Sequence, residues 1–251
     1  MNVPRALGVL LLAFAPRHAA VALALPFPAA TQPAPEVLDA ILSDRARGGG
    51  FDYRGATGQD RKRLAAYLAN VGDADPKGMS PDERKAFFIN AYNAMAIGIV
   101  LERYPVKSIR DIDGAFRSIR RRIGSETLTL DDIENRLRAM NDARIHFAIV
   151  CASRSCPPLA SRAYRAAGLS AELDAQGRAF LGDPRKNVID RAAGRLALSR
   201  IFDWDRKEFE RDGGTIQRFA ARFAPDPATA SWIETFRKPE FLEYDWSLNQ
   251  P

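Results

Sequence analysis

At 251 residues, with 46% hydrophobic and 27% charged residues, the chain has a globular composition that excludes a disordered, fibrous or low-complexity protein. Thirty-seven Lys and Arg against 31 Asp and Glu give a formal net charge of +6, with the two signs interleaved along most of the chain. A nucleic-acid surface is normally more one-sided, so even the Arg117, Arg120, Arg121, Arg122 cluster reads as a solvated face and no nucleic-acid partner is expected.

The N-terminal segment carries Arg5, then the apolar run Ala6–Ala15, then the small-x-small site Ala22-Leu23-Ala24, followed by Pro26, Pro28, Pro33 and Pro35. This pattern predicts a signal peptide over residues 1–24, a proline-rich spacer over 25–35 and a periplasmic or secreted protein. Arg17 and His18 interrupt the apolar stretch, so it is too short to span a bilayer, and no membrane span is expected after cleavage. Loss of Arg5 and Arg17 takes the net charge from +6 to +4. Residues 36–251 then read as a single domain.

Within it, Glu36–Arg47 is an amphipathic helix ended by Gly48-Gly49-Gly50, Phe51-Asp52-Tyr53 is a short extended crossing, and Asp60–Val71 is a second helix. Pro81–Arg103 is the strongest helix: Ser80 caps it, Pro81 suits its first position and Glu83 completes an S-x-x-E capping box. From Phe87 to Leu101 it is apolar almost all round, which predicts a buried central helix. Asn90 and Asn93, three apart on one face, must find partners there, either tying loops to the helix or lining a ligand site.

Ile119–Ile123 and Glu126–Thr129 flank Gly124-Ser125 as a hairpin, and Leu130–Leu137 is a short helix with Glu134 beside its buried stripe. The plain reading of Glu134 is a salt bridge to Arg138 or another base. Further on, Ser170–Leu181 is a helix and Asn187–Asp190 with Arg195–Ser199 a hairpin. Ile201–Glu210 and Thr215–Phe223 look helical, Ser231–Arg237 is a further turn and Glu240–Trp246 alternates as a terminal strand. The sum is an α+β domain, with several helices around a small, mostly antiparallel sheet.

The chemistry concentrates in Arg144–Leu159, R-I-H-F-A-I-V-C-A-S-R-S-C-P-P-L, which holds His146, Ser153 and both cysteines, Cys151 and Cys156. The apolar, β-branched run Ile145–Val150 predicts a buried strand that breaks into a loop at Ala152, a place where sites collect. Three readings compete. A Cys–His nucleophile pair needs the base within about 3 Å of the thiol. On one strand His146 and Cys151 would lie about 16 Å apart and face opposite ways, which favours pairing Cys151 with Glu134 or using Cys156 instead. A Cys151–Cys156 disulfide would close a small loop and contribute about 2 kcal/mol. A zinc site built from His146, Cys151, Cys156 and Glu134 lacks paired ligand spacing, so neither metal nor cofactor is expected.

Six blocks in order, F-F-I-N-A-Y-N-A (87–94), L-E-R-Y-P-V-K-S (101–108), L-T-L-D-D-I-E (128–134), the central stretch (144–159), L-S-R-I-F-D-W (198–204) and Y-D-W-S-L-N (244–249), resemble the DUF547 family of bacteria and plants, from about Asp82 onward. The resemblance implies one compact domain with Asn90, Asn93, Glu134, His146 and Cys151 in family blocks, and no assigned activity. Two expectations follow. The first is a cysteine-dependent hydrolase or transferase, or a small-ligand binder, with Cys151 as nucleophile, His146 and Glu134 in support, and Asn90, Asn93 and Ser153 toward the ligand. The second is a non-catalytic envelope domain, meeting another envelope protein, whose Cys151–Cys156 bridge is structural.

Overall fold

The computed structural model describes Met1 and residues 33–251, so the expected signal peptide and most of its spacer lie outside the described residues. The chain runs through α1 (Pro35–Arg45), the hairpin β1 (Ala46–Arg47) and β2 (Gly50–Phe51), and α2 (Gly58–Asp73) into α3 (Pro81–Arg103). The β3 (Arg121–Ile123) and β4 (Glu126–Leu128) hairpin then leads into α4 (Leu130–Arg138). After a long irregular stretch come α5 (Leu169–Leu181), β5 (Val188–Asp190) and β6 (Arg195–Leu198). The chain closes with α6 (Ile201–Trp204), α7 (Arg206–Gly213), α8 (Ile216–Ala221), α9 (Pro227–Thr235) and β7 (Glu240–Phe241). The α+β class holds, with three small sheets among the described residues in place of one: two hairpins, and β5-β6-β7, in which β7 joins β6 in parallel.

The central helix forms as its sequence demands. Ser80 accepts the Glu83 amide, Glu83 accepts the Ser80 amide, and every residue from 86 to 101 is buried. α3 packs between α2 and α4 in a first apolar cluster, where each fully buried Leu, Ile or Phe contributes about 1.5–3 kcal/mol. A second cluster is built around six phenylalanines. Phe147 lies at its hub, its ring 5.2–5.9 Å from Phe180, Phe202, Phe209, Phe219 and Phe223. No described helix is long and apolar enough to cross a membrane.

Four sequence readings need correction. Residues 145–150 are not a strand: Ala143–Phe147 is a 3-10 turn, and the backbone beyond it pairs with a side chain rather than a neighbouring strand. The helix expected over 201–210 breaks at Asp205, whose carboxylate is drawn to Arg138 while its φ and ψ leave the helical region. Of the expected terminal strand only Glu240–Phe241 pairs regularly. The glycines at 48–50 do not cap α1, which ends before them. Gly48 and Gly49, both at positive φ, make the β1–β2 turn, and Gly50 opens β2. Gly50 lies so close to the C-terminal segment that a Cβ there would stand 1.5 Å from the Asn249 carbonyl oxygen.

That C-terminal segment organises the site. Its backbone exchanges hydrogen bonds with Phe51, Lys107, Ala152, Arg154 and Ser155, so it straps the first hairpin and the cysteine loop together. The arginine cluster is spent locally. Arg117 pairs with Asp131, Arg120 with Asp132, Arg121 with Glu102 and Arg122 with Asp73.

Candidate functional site

A cavity of about 550 Å³ opens between the two apolar clusters and collects residues far apart in the chain. Its volume is that of an ordinary small-molecule pocket. Three groups line it: the thiols of Cys151 and Cys156; the set Glu134, Arg138, His146, Asp205; and the rings of Tyr92, Phe116, Trp204, Tyr244, Trp246.

The thiol group is held by α3. The Asn93 side chain donates to the Ala148 carbonyl at 2.9 Å and accepts the Val150 amide at 2.8 Å, doing for this backbone what a neighbouring strand would do. Ala152 then takes a left-handed conformation, φ 63°, which is costly for a residue with a Cβ. With the Cys156 amide bonded to the Ser153 carbonyl, this folds residue 156 back onto residue 151. The Cys151 amide donates to Cys156 Sγ at 3.0 Å, and Ser153 Oγ and Tyr244 OH lie 3.1 and 3.3 Å from the same sulfur. Cys151 Sγ is 3.2 Å from Ser153 Oγ and 3.5 Å from Tyr244 OH. Burial alone would raise the Cys156 thiol, but the hydrogen bonds from Cys151, Ser153 and Tyr244 outweigh it and draw it down to about 6. The hydrogen bond with Cys156, with burial behind it, pushes Cys151 up. The two shifts run in opposite directions, so the surroundings favour the thiolate form at Cys156 and the protonated form at Cys151. Both cysteines are free, Cys151 half-buried and Cys156 buried.

In the second group Arg138 bridges two acids, Glu134 at 2.6 Å and Asp205 at 2.5 Å. The Glu134–Arg138 pair is the plain reading of the sequence, placed in a cavity wall instead of on the open surface. Burial pushes the Glu134 carboxyl up to about 7; Arg138 opposes the rise and Asp205 adds to it. His146 Nδ1 stands 3.3 Å from Asp205, while Nε2 is buried with no hydrogen-bond partner among the described residues. Burial, with the Arg138 charge, pulls this histidine down to about 3, so it is neutral at ordinary pH. A proton on Nδ1 faces the carboxylate and leaves only a lone pair unpartnered at Nε2. Glu134, His146 and Asp205 offer donor atoms within 4.8 Å of one another, enough for a divalent cation, but the Arg138 guanidinium already pairs with both acids there.

The third group is aromatic. Tyr244 packs at a tilt against Trp204 and Trp246, centroids 4.7 and 4.6 Å away, and Arg110 covers Trp246 at 5.0 Å. Trp204 is 52% exposed, an apolar ring presented to whatever enters.

Because residues 145–150 are not extended, the opposed-face objection to His146 and Cys151 falls: both line the cavity, with Glu134. Ser153 is fully buried behind the thiols, and Asn90 lies apart, exchanging two hydrogen bonds with the backbone of Tyr164. Sequence reasoning passed over Tyr244, Asp205, Arg138 as a bridge, and the two tryptophans. Trp204, Tyr244 and Trp246 stood in the last two quoted blocks, and that was the signal available.

The family model described as "Protein of unknown function, DUF547" matches residues 76–181, which bears out the resemblance. The match covers α3, α4 and the cysteine loop, while Asp205, Trp204, Tyr244 and Trp246 lie beyond it. No curated protein and no solved structure matches the chain.

Proposed function

We propose that the protein is an exported, cysteine-dependent hydrolase or transferase that takes a small molecule into the cavity and passes a group through Cys151. One observation carries the reading: a half-buried thiol, with a second thiol folded back to 3.0 Å from its amide, opens into the cavity that also holds Glu134, a carboxyl that burial raises to about 7. In this scheme Cys156 takes the proton of Cys151 as it attacks, and Glu134 protonates the leaving group. Asn93 positions the nucleophile through the backbone, Tyr244 and Ser153 brace the sulfurs, and the aromatic rings hold the substrate.

The test is hydrolysis of a panel of activated esters and thioesters, with limited iodoacetamide labelling and peptide mapping. Cys151 should take the label first, and Cys151→Ser should lower turnover at least about 100-fold. Rate should rise as pH passes about 6, where the thiolate forms, and fall beyond about 7, where Glu134 loses its proton. Unchanged turnover in Cys151→Ser sinks the proposal. Export is tested by sequencing the N-terminus of secreted protein, expected to begin after Ala24.

A second reading, a non-catalytic envelope domain, draws on Asn90 and Asn93 being committed to backbone and Ser153 being inaccessible. It expects no turnover from any ester, and a lower melting temperature as the main effect of Cys151→Ser.

A further inference from the structure

We propose that Cys151 and Cys156 are a reversible dithiol–disulfide pair, oxidised through the cavity by a small disulfide of the glutathione kind. The inference goes beyond the hydrolase reading and does not rest on it, because it is read by thiol state and not by turnover.

The case is geometric. A disulfide needs its sulfurs about 2.05 Å apart with a dihedral near 90°, a condition most cysteine pairs miss because their backbones stand too far apart or diverge. Here the backbone is already bent to meet it. The left-handed Ala152 and the turn closed by the Cys156 amide on the Ser153 carbonyl bring Cys156 Sγ to 3.0 Å from the Cys151 amide. The two thiols share both Ser153 Oγ and Tyr244 OH as neighbours, so side-chain rotation is the movement that remains. A left-handed alanine is strain kept in place by its surroundings: the Ala152 carbonyl accepts the Asn249 amide, and Asn93 pins the residue before Cys151.

Accessibility assigns the two roles. Cys151 is half-buried and faces the cavity, whereas Cys156 is 2% exposed. Cys151 passes its proton to the Cys156 thiolate and attacks the incoming disulfide, forming a mixed disulfide and expelling one small thiolate. That thiolate takes the proton back from Cys156. Cys156 then attacks the Cys151 sulfur and expels the second small thiolate, which is protonated from solvent. The balance is one protein dithiol and one small disulfide giving one protein disulfide and two small thiols. The amide, hydroxyl and phenol around Cys156 favour the thiolate this last step needs. The same bond removes both sulfurs from the cavity's chemistry.

The experiment titrates the full chain with mixtures of oxidised and reduced glutathione, traps free thiols by alkylation and weighs the protein. Wild type should lose two hydrogens, with Cys151 and Cys156 in one linked peptide, and regain both thiols as reduced glutathione rises. Cys156→Ser should stop at a stable glutathione adduct on Cys151, and Cys151→Ser should form no adduct while folded. Tyr244→Phe should still bridge, but close more slowly. Two thiols that stay free at every ratio overturn the proposal, as does a stable adduct on the wild type. A bridge that resists reduction until the protein unfolds also overturns it, by making the bond structural.

Discussion

Glu134 and His146 share one cavity wall yet their protons move in opposite directions on folding. Burial raises Glu134 from 4.5 to about 7, so the folded chain holds that proton more tightly than the unfolded one. Its contribution is fully present below about 4.5 and is lost as pH rises to about 7, costing at most about 3 kcal/mol at neutrality. His146 does the reverse. Its pKa falls from 6.5 to about 3, so stability is present above about 6.5 and is lost as pH drops. Between about 4.5 and 6.5 the two slopes oppose each other, and a plain melting curve against pH hides both. A difference measurement separates them. Glu134→Gln should gain melting temperature relative to wild type between pH 5 and pH 8, and the two should converge below pH 4.5. An offset that does not change with pH would mean that folding leaves the Glu134 pKa where it is in the unfolded chain, Arg138 cancelling the effect of burial.

At the scale of elements, two asparagines three residues apart on α3 do different work. Asn90 clamps Tyr164, well beyond the cysteine loop, and Asn93 clamps the two backbone positions that lead into Cys151. Alanine at either site leaves a buried amide and a buried carbonyl without partners, at about 2–4 kcal/mol. Urea midpoints should therefore fall in both variants. Only Asn93→Ala should also change the rate at which iodoacetamide labels Cys151; equal labelling rates in the two would remove Asn93 from the site. The same pair marks what the sequence made legible. The capping box, the buried run and the need for amide partners on α3 could be read from spacing alone. What those amides would grip could not, because a partner 55 residues away leaves no local pattern. Residues 145–150 were misread for the matching reason. Their composition suits a strand, but a strand needs a neighbour, and Asn93 took that place.

The cavity is a property of the whole molecule. Tyr92, Ile149 and Cys156 reach it from the cluster around α3, and Ile201 and Tyr244 from the phenylalanine cluster, so it lies along their seam. No single motif announces such a site, which is why the carboxylate at 205 and the rings at 204, 244 and 246 went unassigned while the cysteines did not. Phe147 is the hub of the second cluster, next in sequence to His146, whose own ring packs 5.4 Å from Phe209. Phe147→Ala should cost about 3–5 kcal/mol, and the loss should fall on one side of the seam. Of the protein's three tryptophans, Trp232 packs on the phenylalanine cluster, and Trp204 and Trp246 line the cavity at the seam. Far-ultraviolet circular dichroism instead weighs the long helices α2 and α3 of the other cluster. In wild type the two signals should melt together, as one cooperative unit. In Phe147→Ala the fluorescence transition should come first, because the phenylalanine cluster has lost its hub and the core around α3 has lost nothing. Coincident transitions in the variant would mean that the seam transmits the whole loss, and that the cavity opens only when the entire domain unfolds.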